Sequence, residues 1–227
     1  AVTAESGRKS RQALRRLAEG HPGAVRAVCG CWSQVEPDSA AALGADIVWG
    51  SGDRHGFIDA LERAVEGGGH GRLIDKPFTR REIERLPAGA FSGHARAYLK
   101  IEDGCENFCT YCIIPYARGR VRSLPPDEAA EEAASLDARG YRELVPTGIE
   151  IASYGSDLPG APSLADVIEA VSAAAPDMRL RLGSLEPTVV TEKFCSRLAA
   201  LGTVCDHFHL SLQSGSDGTL RRMRRKY

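Results

Sequence analysis

Neither an excess of charge of one sign nor a long hydrophobic run occurs in this chain of 227 residues. Its 29 Lys and Arg and 30 Asp and Glu leave a formal net charge of −1. Nucleic acid is therefore not attracted by the chain as a whole, and such binding must come from local basic runs. No apolar stretch approaches membrane-spanning length, and no signal-peptide pattern opens the chain. We expect a cytoplasmic protein with no membrane partner, in a compartment that keeps thiols reduced.

The two ends of the chain also depart from those of a complete protein. The first residue is Ala1 rather than an initiator Met, and Tyr227 closes a basic run with a helical pattern. We expect a fragment of a longer protein that lacks both ends. Its hydrophobic content of 43% and charged content of 26% are typical of globular domains. The length suits one large domain or two ordinary ones.

The seven cysteines are too few and too unevenly placed for a disulfide framework, and their number is odd. Three of them, Cys105, Cys109 and Cys112, follow the spacing C-x3-C-x2-C. Three thiolates leave one iron of a four-iron cluster without a protein ligand, and an open position is where metal chemistry occurs. The alternative is a structural zinc site, which needs a fourth ligand. His94, His207 or His209 would have to supply it.

Alternating helix and strand patterns predict an α/β fold with parallel sheets. The patterns favour helices over residues 5–19, 37–43, 57–66, 127–139, 164–174 and 191–201, and strands over 25–29, 46–49, 97–101, 143–145, 179–182 and 207–212. Residues 30–34 are expected to form a turn. We predict a small parallel-sheet amino-terminal domain over 1–66, a linker over 67–93 and a partial (βα) barrel over 94–227. The glycine run at 67–69 is expected to be a flexible joint rather than a phosphate-binding loop, because no Gly-Lys-Ser/Thr follows it.

Polar and acidic residues follow each strand of the predicted barrel. They are the cysteine loop and residues 147–150, 184–186 and 213–215. Because carboxyl ends of parallel strands meet at one face, these segments are expected to form one pocket. In the last strand, His207 and His209 alternate with Phe208 and Leu210. That pattern predicts polar side chains toward the lumen and apolar ones against helices.

The cysteine motif, with Tyr111 before its third cysteine, resembles the signature of radical S-adenosylmethionine (SAM) enzymes. The surrounding residues 103–120 resemble the methylthiotransferases of that group. Residues 183–187 and 207–215 are similar to the branch that acts on threonylcarbamoyladenosine beside the tRNA anticodon. Sister branches act on isopentenyladenosine in tRNA or on a ribosomal protein. The resemblance covers almost the whole chain.

The resemblance implies roles for individual residues. Cys105, Cys109 and Cys112 would hold a 4Fe-4S cluster whose open iron binds SAM, and Tyr111 would lie against the adenine. The remaining cofactor contacts would be Thr147, Gly148 and Glu150 near the methionine end of SAM, and Ser184, Glu186 and Gln213 toward SAM or substrate. Two alternatives stay open: residues 147–150 as an ordinary strand-to-helix turn, and Glu186 as a partner of Arg181.

Methylthiotransferases of this kind carry a second 4Fe-4S cluster on three cysteines of the amino-terminal domain. Only Cys31 stands at such a position here, and the resemblance places the other two before Ala1. We therefore expect no normal second cluster in the chain as it stands. Cys29 matches no family ligand and is expected to be buried in its strand.

The implied reaction inserts sulfur and a methyl group at C2 of the modified adenine, after cleavage of SAM by an electron from the first cluster. It implies an electron donor such as flavodoxin or ferredoxin. No side chain is identified as a general acid or base. RNA contact is expected from Arg118, Arg120 and Arg122. For the terminal run, RNA contact and a solvated helix face remain equally open; the run comprises Arg221, Arg222, Arg224, Arg225 and Lys226.

Two further functions remain possible from the residues. One is a methylthiotransferase for another substrate, namely isopentenyladenosine in tRNA or a ribosomal protein. The other is a non-catalytic iron–sulfur protein that binds RNA.

Overall fold

The computed structural model describes residues 3–86 and 95–227. It divides into two compact units, the first comprising Ala1–Arg80 and Tyr111–Gly119 and the second Arg81–Thr110 and Arg120–Tyr227. Both contain helices and parallel strands, so the predicted α/β class is confirmed. Among the described residues, no helix combines the length and apolar character that crossing a bilayer requires. The predicted His94 zinc ligand lies outside the described residues.

The first unit is built on three short parallel strands. Its elements are α1 (Ala4–Gly20), β1 (Ala27–Val28), α2 (Cys31–Val35), α3 (Pro37–Ala41), β2 (Ile47–Trp49), α4 (Arg54–Val65), β3 (Gly71–Leu73), a 3₁₀ turn (Pro77–Thr79) and α5 (Ile114–Arg118). The strand order is β1-β2-β3. Strand β3 pairs with β2 inside the predicted linker, so part of 67–93 has regular structure. The expected turn at 30–34 is instead mostly helix α2.

Side chains define where the helices of this unit begin. Thr3 caps α1, where its side chain and that of Ser6 form a reciprocal capping box. Asp53 caps α4 from a left-handed conformation, and its carboxylate accepts the Gly56 N–H at 3.0 Å. Strand β2 is buried on both faces, with Val48 against Trp32 and the other side chains of the strand against α4. Both faces of the sheet are therefore covered, as parallel strands require.

The second unit contains the longer elements of the chain. They are β4 (Arg96–Lys100), β5 (Glu102–Asp103), β6 (Arg122–Ser123), α6 (Pro126–Ala138), β7 (Glu143–Thr147), a 3₁₀ turn (Ile151–Ser153), α7 (Leu164–Ala174), β8 (Arg179–Leu180), β9 (Ser184–Leu185), a 3₁₀ turn (Pro187–Val189), α8 (Glu192–Ala199), β10 (His209–Leu210) and α9 (Asp217–Arg222). Strands β4-β7-β8 form a parallel sheet, and β9 pairs in parallel with β10. Strands β5 and β6 form a separate antiparallel pair.

Helices α6 and α7 cover the parallel sheet of this unit. Their apolar faces bury Leu136 and Ile168 completely, together with Leu144 of β7. Small residues of α6 allow the close approach of the two helices, since Ala129 and Ala133 are fully buried. This packing holds strands β4 and β7 in register, so the loops after them leave from one edge.

The last strand does not follow the predicted alternation. Phe208 and Leu210 are 44% and 43% exposed, although their parity predicts burial against helices. His207 and His209 are exposed as well. The described partner of β10 is β9 alone, and the two strands share only two residue pairs. A strand with so little pairing leaves both of its faces open to solvent.

Candidate functional site

The cysteine loop leaves the second unit immediately after β5. Cys105 and Cys109 are both buried, and neither is in a disulfide. Each sulfur faces an N–H donor: the Asn107 amide lies 3.5 Å from Cys105 Sγ, and Arg225 Nη1 lies 3.2 Å from Cys109 Sγ. N–H donors on thiolate sulfur are typical of iron–sulfur ligands, because they stabilise the negative charge. The two sulfurs therefore fit the chemistry of a cluster.

The third cysteine of the motif lies in the first unit, in the segment Tyr111–Gly119. Cys112 is half-buried and free of disulfides, and Tyr111 is 53% exposed. Over residues 3–86 and 95–227, no three His, Cys, Asp or Glu side chains are grouped as ligands of one metal ion. A four-iron cluster differs from such a site, because each thiolate binds a different iron.

A buried polar pair precedes the cysteine loop. Glu102 and Asp103 of β5 lie opposite Ser123 and Arg122 of β6, and all four residues are buried. Arg122 Nη2 lies 3.5 Å from Asp103 Oδ2, with 3% and 5% of the two side chains exposed. This position disfavours the predicted contact of Arg122 with RNA, since its guanidinium is enclosed and its charge compensated inside the unit.

Glu102 shapes the turn over residues 147–150. Its Oε2 accepts the backbone N–H of Glu150 at 2.7 Å, and the amide of Ile149 also donates to the carboxylate. A Cβ on Gly148 would lie 2.6 Å from this oxygen, so only glycine fits there. Burial, with smaller effects from Asp103 and Glu150, raises the pKa of Glu102 to about 8. The raised pKa favours the neutral form of Glu102 at pH 7, and its Oε2 holds the turn as a hydrogen-bond acceptor.

Glu150 stands at the amino end of the 3₁₀ turn Ile151–Ser153. Its carboxylate accepts the Ala152 N–H at 3.1 Å and the hydroxyl of Ser153. Burial raises the pKa of Glu150, and the negative charge of Glu186 raises it further. The backbone oxygen of Thr147 accepts the Ile101 N–H at 2.9 Å, which ties the turn to the neighbouring strand. The turn is therefore a fixed acidic edge near Glu186.

Glu186 connects this edge to the cysteine loop. Its Oε2 accepts from Asn107 Nδ2 at 3.2 Å, and its Oε1 forms an ion pair with Arg225 Nη2 at 2.9 Å. No described residue donates a hydrogen bond to Oε1, so its contact with Arg225 is an ion pair without hydrogen-bond geometry. The alternative partner Arg181 pairs with Glu143 instead, at 3.3 Å. The buried Glu186 thus joins the cysteine loop to Arg225 by one hydrogen bond and one ion pair.

Two predicted cofactor contacts lie in more open positions. Ser184 is exposed, and its hydroxyl lies 3.4 Å from Nδ1 of His209, its neighbour across the β9–β10 pair. Gln213 is exposed and holds a left-handed φ of 60°. Neither belongs to the buried group around Glu186. Their placement leaves both side chains accessible to a ligand.

A second polar group occupies the carboxyl edge of the first-unit sheet. Cys31 is buried at the start of α2, and Arg118 Nε donates to its Sγ at 3.2 Å. The same guanidinium reaches the backbone oxygen of Ser51 at 3.5 Å. Cys29 is exposed, which corrects the expectation that it is buried. Cys31 therefore has a cationic N–H donor on its sulfur, as Cys109 has.

Several of the basic residues predicted to contact RNA are engaged within the chain. Arg118 is engaged with Cys31, and Arg120 is half-buried with its Nε enclosed and without a hydrogen-bond partner in the described chain. Arg225 of the terminal run donates to Cys109 Sγ, and its side chain is 9% exposed. The exposed members of that run are Arg221, Arg222, Arg224 and Lys226.

Sequence reasoning missed Glu102 and Asn107 as parts of this site, and it treated Arg225 as one charge in a basic run. Glu102 carried one usable signal, since it lies at the end of a strand three positions before Cys105. Arg225 carried none, because its contacts come from residues distant in sequence.

Known proteins are similar to this chain over half of its length or more. Residues 99–227 match the Radical SAM superfamily. The chain is 37% identical over 227 residues to the threonylcarbamoyladenosine tRNA methylthiotransferase MtaB of Bacillus subtilis, covering 100% of this chain and 50% of the relative. It is 37% identical over 218 residues to the tRNA-2-methylthio-N(6)-dimethylallyladenosine synthase of Desulfitobacterium hafniense, covering 94% and 48%. The chain spans about half the length of the curated relatives it matches.

Solved structures share the fold at low identity. The radical SAM methyltransferase TsrM of Kitasatospora setae, with tryptophan substrate and a SAM analogue bound, gives a TM-score of 0.63 at 17% identity, over 94% of this chain and 46% of that one. The cobalamin-dependent SAM radical enzyme OxsB gives 0.54 at 12% identity, over 95% and 39%. Because the superfamily's own match covers residues 99–227, more than half of the chain and all three motif cysteines, the chain belongs to the radical SAM superfamily.

Proposed function

We propose that the protein containing this chain is a tRNA methylthiotransferase that modifies C2 of N6-threonylcarbamoyladenosine beside the anticodon. The observation that carries the proposal is the 37% identity to the Bacillus subtilis MtaB over all 227 residues. The N–H donors on the sulfurs of Cys105 and Cys109 support a bound cluster at the same loop.

Cys105, Cys109 and Cys112 are the proposed ligands of a 4Fe-4S cluster. When bound, this group supplies the electron that cleaves SAM. The chain holds two of the ligands in a buried loop, where Asn107 and Arg225 stabilise thiolate charge and limit the access of water.

The acidic turn at 147–150 is the proposed contact for the positively charged amino group of SAM. Gly148 lets the backbone approach closely, and Glu150 supplies a carboxylate whose position is fixed by Ser153 and Ala152. Glu186, after β9, supplies a second carboxylate, whose Oε1 forms an ion pair with Arg225. Tyr111 is proposed to lie against the adenine, and Thr147, Ser184 and Gln213 are proposed as further contacts to SAM or substrate.

Cys31 is the proposed ligand of a second 4Fe-4S cluster, which would carry sulfur to the substrate. Arg118 would stabilise its thiolate through the Nε donor at 3.2 Å. The remaining ligands of such a cluster are not proposed from this chain.

The proposed RNA contacts lie in the exposed part of the terminal run, since Arg122 is buried and the Arg225 side chain is only 9% exposed. Exposed cations bind phosphate with a strong dependence on salt. These residues are Arg221, Arg222, Arg224 and Lys226. A cytoplasmic location and an electron donor such as flavodoxin or ferredoxin complete the proposal.

A second substrate has specific support. The dimethylallyladenosine synthase of Desulfitobacterium hafniense is also 37% identical, over 94% of this chain. The two candidate substrates share the adenine C2 position and differ in the group on N6. Identity at this level favours a tRNA methylthiotransferase, and the whole-chain match favours the threonylcarbamoyl branch.

The test is mass analysis of tRNA nucleosides from a strain that lacks the gene. We expect loss of the 2-methylthio form of threonylcarbamoyladenosine, with its unmethylthiolated precursor in its place. The wild-type gene should restore the modification and the Cys109→Ala variant should not. Cys195→Ala is the matched control, because Cys195 is exposed and lies on α8 outside the motif.

The outcomes separate the alternatives. Loss of the methylthio form of dimethylallyladenosine instead would assign the second substrate. If both tRNA nucleosides are unchanged in the deletion strain, tRNA is not the substrate. In vitro, reconstituted protein with dithionite should convert SAM to 5′-deoxyadenosine, and a protein with a proven cluster that leaves SAM intact would be a non-catalytic iron–sulfur protein.

A further inference from the structure

We propose that Arg225 is a positioning residue for the cluster at the cysteine motif. It raises the reduction potential of this cluster by donating an N–H hydrogen bond to Cys109 Sγ. This inference rests on the proposed cluster at Cys105, Cys109 and Cys112. The inference goes beyond that cluster assignment, because it gives a role to a residue that lies far from the motif in sequence.

The contacts of Arg225 fix its guanidinium on three sides. Nη1 donates to Cys109 Sγ at 3.2 Å, Nη2 pairs with Glu186 Oε1 at 2.9 Å, and Nε donates to the hydroxyl of Tyr227 at 3.2 Å. The Tyr227 hydroxyl in turn donates to the backbone oxygen of Ser211 at 2.5 Å. The Tyr227 ring also lies under the guanidinium, 5.0 Å from centroid to Cζ. The donor on sulfur is therefore held in one orientation.

The low solvent exposure of Arg225 and Glu186 strengthens the effect of their charges on the cysteine sulfur. The side chains of Arg225 and Glu186 are 9% and 5% exposed, so solvent screens their charges weakly. An arginine guanidinium stays protonated at physiological pH. The guanidinium is thus a permanent cation beside one ligand sulfur. Glu186 offsets part of this charge from the opposite side.

A cation and an N–H donor beside a cluster ligand favour the more negative, reduced cluster. One electron from an external reductant adds one negative charge to the cluster, and the same charge is removed on reoxidation. Hydrogen bonds to the sulfurs and nearby charge are known to set reduction potentials of such clusters. Loss of the guanidinium should therefore make the cluster harder to reduce.

The backbone near Arg225 connects it to the cysteine loop a second time. The Thr110 amide donates to the Met223 carbonyl at 3.2 Å, and the Thr110 hydroxyl reaches the Arg222 carbonyl at 3.3 Å. Arg225 N–H also donates to the Leu220 carbonyl at 3.0 Å. The segment after α9 is thereby docked on the loop, so the guanidinium and Cys109 are positioned by main-chain contacts as well.

The test compares the reconstituted wild-type protein with Arg225→Met by EPR-monitored redox titration with a titanium(III) reductant. Iron and sulfide contents and the absorption spectrum first establish whether each protein holds a cluster. We expect the midpoint potential of Arg225→Met to fall by an amount equal to at least a tenfold change in the reduction equilibrium, about 59 mV for one electron. Arg221→Met, which removes an exposed charge from α9, is expected to leave the potential unchanged.

The results distinguish this inference from the proposal on which it rests. A wild-type protein without a cluster refutes the cluster assignment itself. A wild-type cluster whose potential is unchanged in Arg225→Met refutes the role of Arg225. If Arg225→Met holds no cluster, Arg225→Gln decides, because it removes the positive charge and keeps an N–H donor. A lowered potential in Arg225→Gln supports the role, and an unchanged one overturns it.

Discussion

Glu102 accepts the backbone N–H of Glu150 at 2.7 Å, so a buried acid at the end of one strand holds the turn that follows the next. Glu102 lies in β5, which follows β4, and Glu150 lies in the turn after β7, the parallel partner of β4. The oxygen Oε1 of Glu102 accepts no hydrogen bond from the described residues. A buried carboxyl with one unused oxygen is more stable as the neutral acid, which agrees with its raised pKa.

The stability of the protein should therefore fall with rising pH through Glu102. In the folded protein the pKa of Glu102 is about 8, above its ordinary value of 4.5 in an unfolded chain, so the folded state binds the proton more tightly. The resulting stability is complete below pH 4.5 and is lost as the pH rises toward 8. The expected slope is about 1.4 kcal/mol per pH unit within this window.

Thermal or urea unfolding of wild type and Glu102→Gln at pH 6.0 and pH 8.5 measures this effect. The Gln variant cannot titrate, so the difference between the two proteins cancels other pH effects, including those on the cluster. Wild type should lose stability relative to Glu102→Gln as the pH rises. A pH-independent difference would show that Glu102 has an ordinary pKa.

Replacement of Gly148 by Ala should disrupt the acidic turn. The added Cβ would lie 2.6 Å from Glu102 Oε2 and 2.9 Å from the Glu102 backbone oxygen, so the turn or strand β5 must shift. We expect a loss of about 1–3 kcal/mol in the free energy of unfolding, and weaker SAM binding by calorimetry. Gly202→Ala is the control, since no atom lies within 4 Å of its Cβ position. Equal effects of the two variants would contradict the crowding at Gly148.

Arg122 should behave as a structural residue and not as an RNA contact. Removing one partner of a buried ion pair leaves an uncompensated charge, so Arg122→Met should cost about 3–5 kcal/mol in unfolding free energy. The double variant Arg122→Met with Asp103→Asn should recover part of this loss. Arg8→Met, at an exposed pair with Glu5, should leave the unfolding midpoint unchanged. A stable Arg122→Met protein with weakened tRNA binding would restore the original expectation for Arg122.

Thiol accessibility should report the cluster independently of activity. In protein with bound iron, iodoacetamide should modify the exposed Cys29 and Cys195 first, and peptide mass spectrometry locates the products. Removal of iron by a chelator should increase modification of Cys112, which is half-buried and a proposed ligand. Modification of the buried Cys205, outside the motif, should stay low. If the modification rate of Cys112 does not change with iron, Cys112 is not a ligand.

The sequence alone determined the parts of the protein that depend on local pattern. Helix α1, α6 and α7 and strands β2 and β7 follow from hydrophobic periodicity, and the structure places them within a few residues of the predicted bounds. The cysteine spacing likewise identified the superfamily, because three cysteines within eight residues form a local signal. The same reasoning failed for β10, where pairing in space and not alternation decides burial.

Only the tertiary structure decided which charged residues belong to the site. Glu186 has Arg225 as its partner rather than Arg181, and Arg122 and Arg225 are enclosed although both stand in basic runs. Burial and ion pairing depend on which segments pack together. The segment after α9 contacts the cysteine loop, and the spacing of residues in the sequence does not predict that contact. The motif therefore specified the chemistry, while packing specified the charges that surround it.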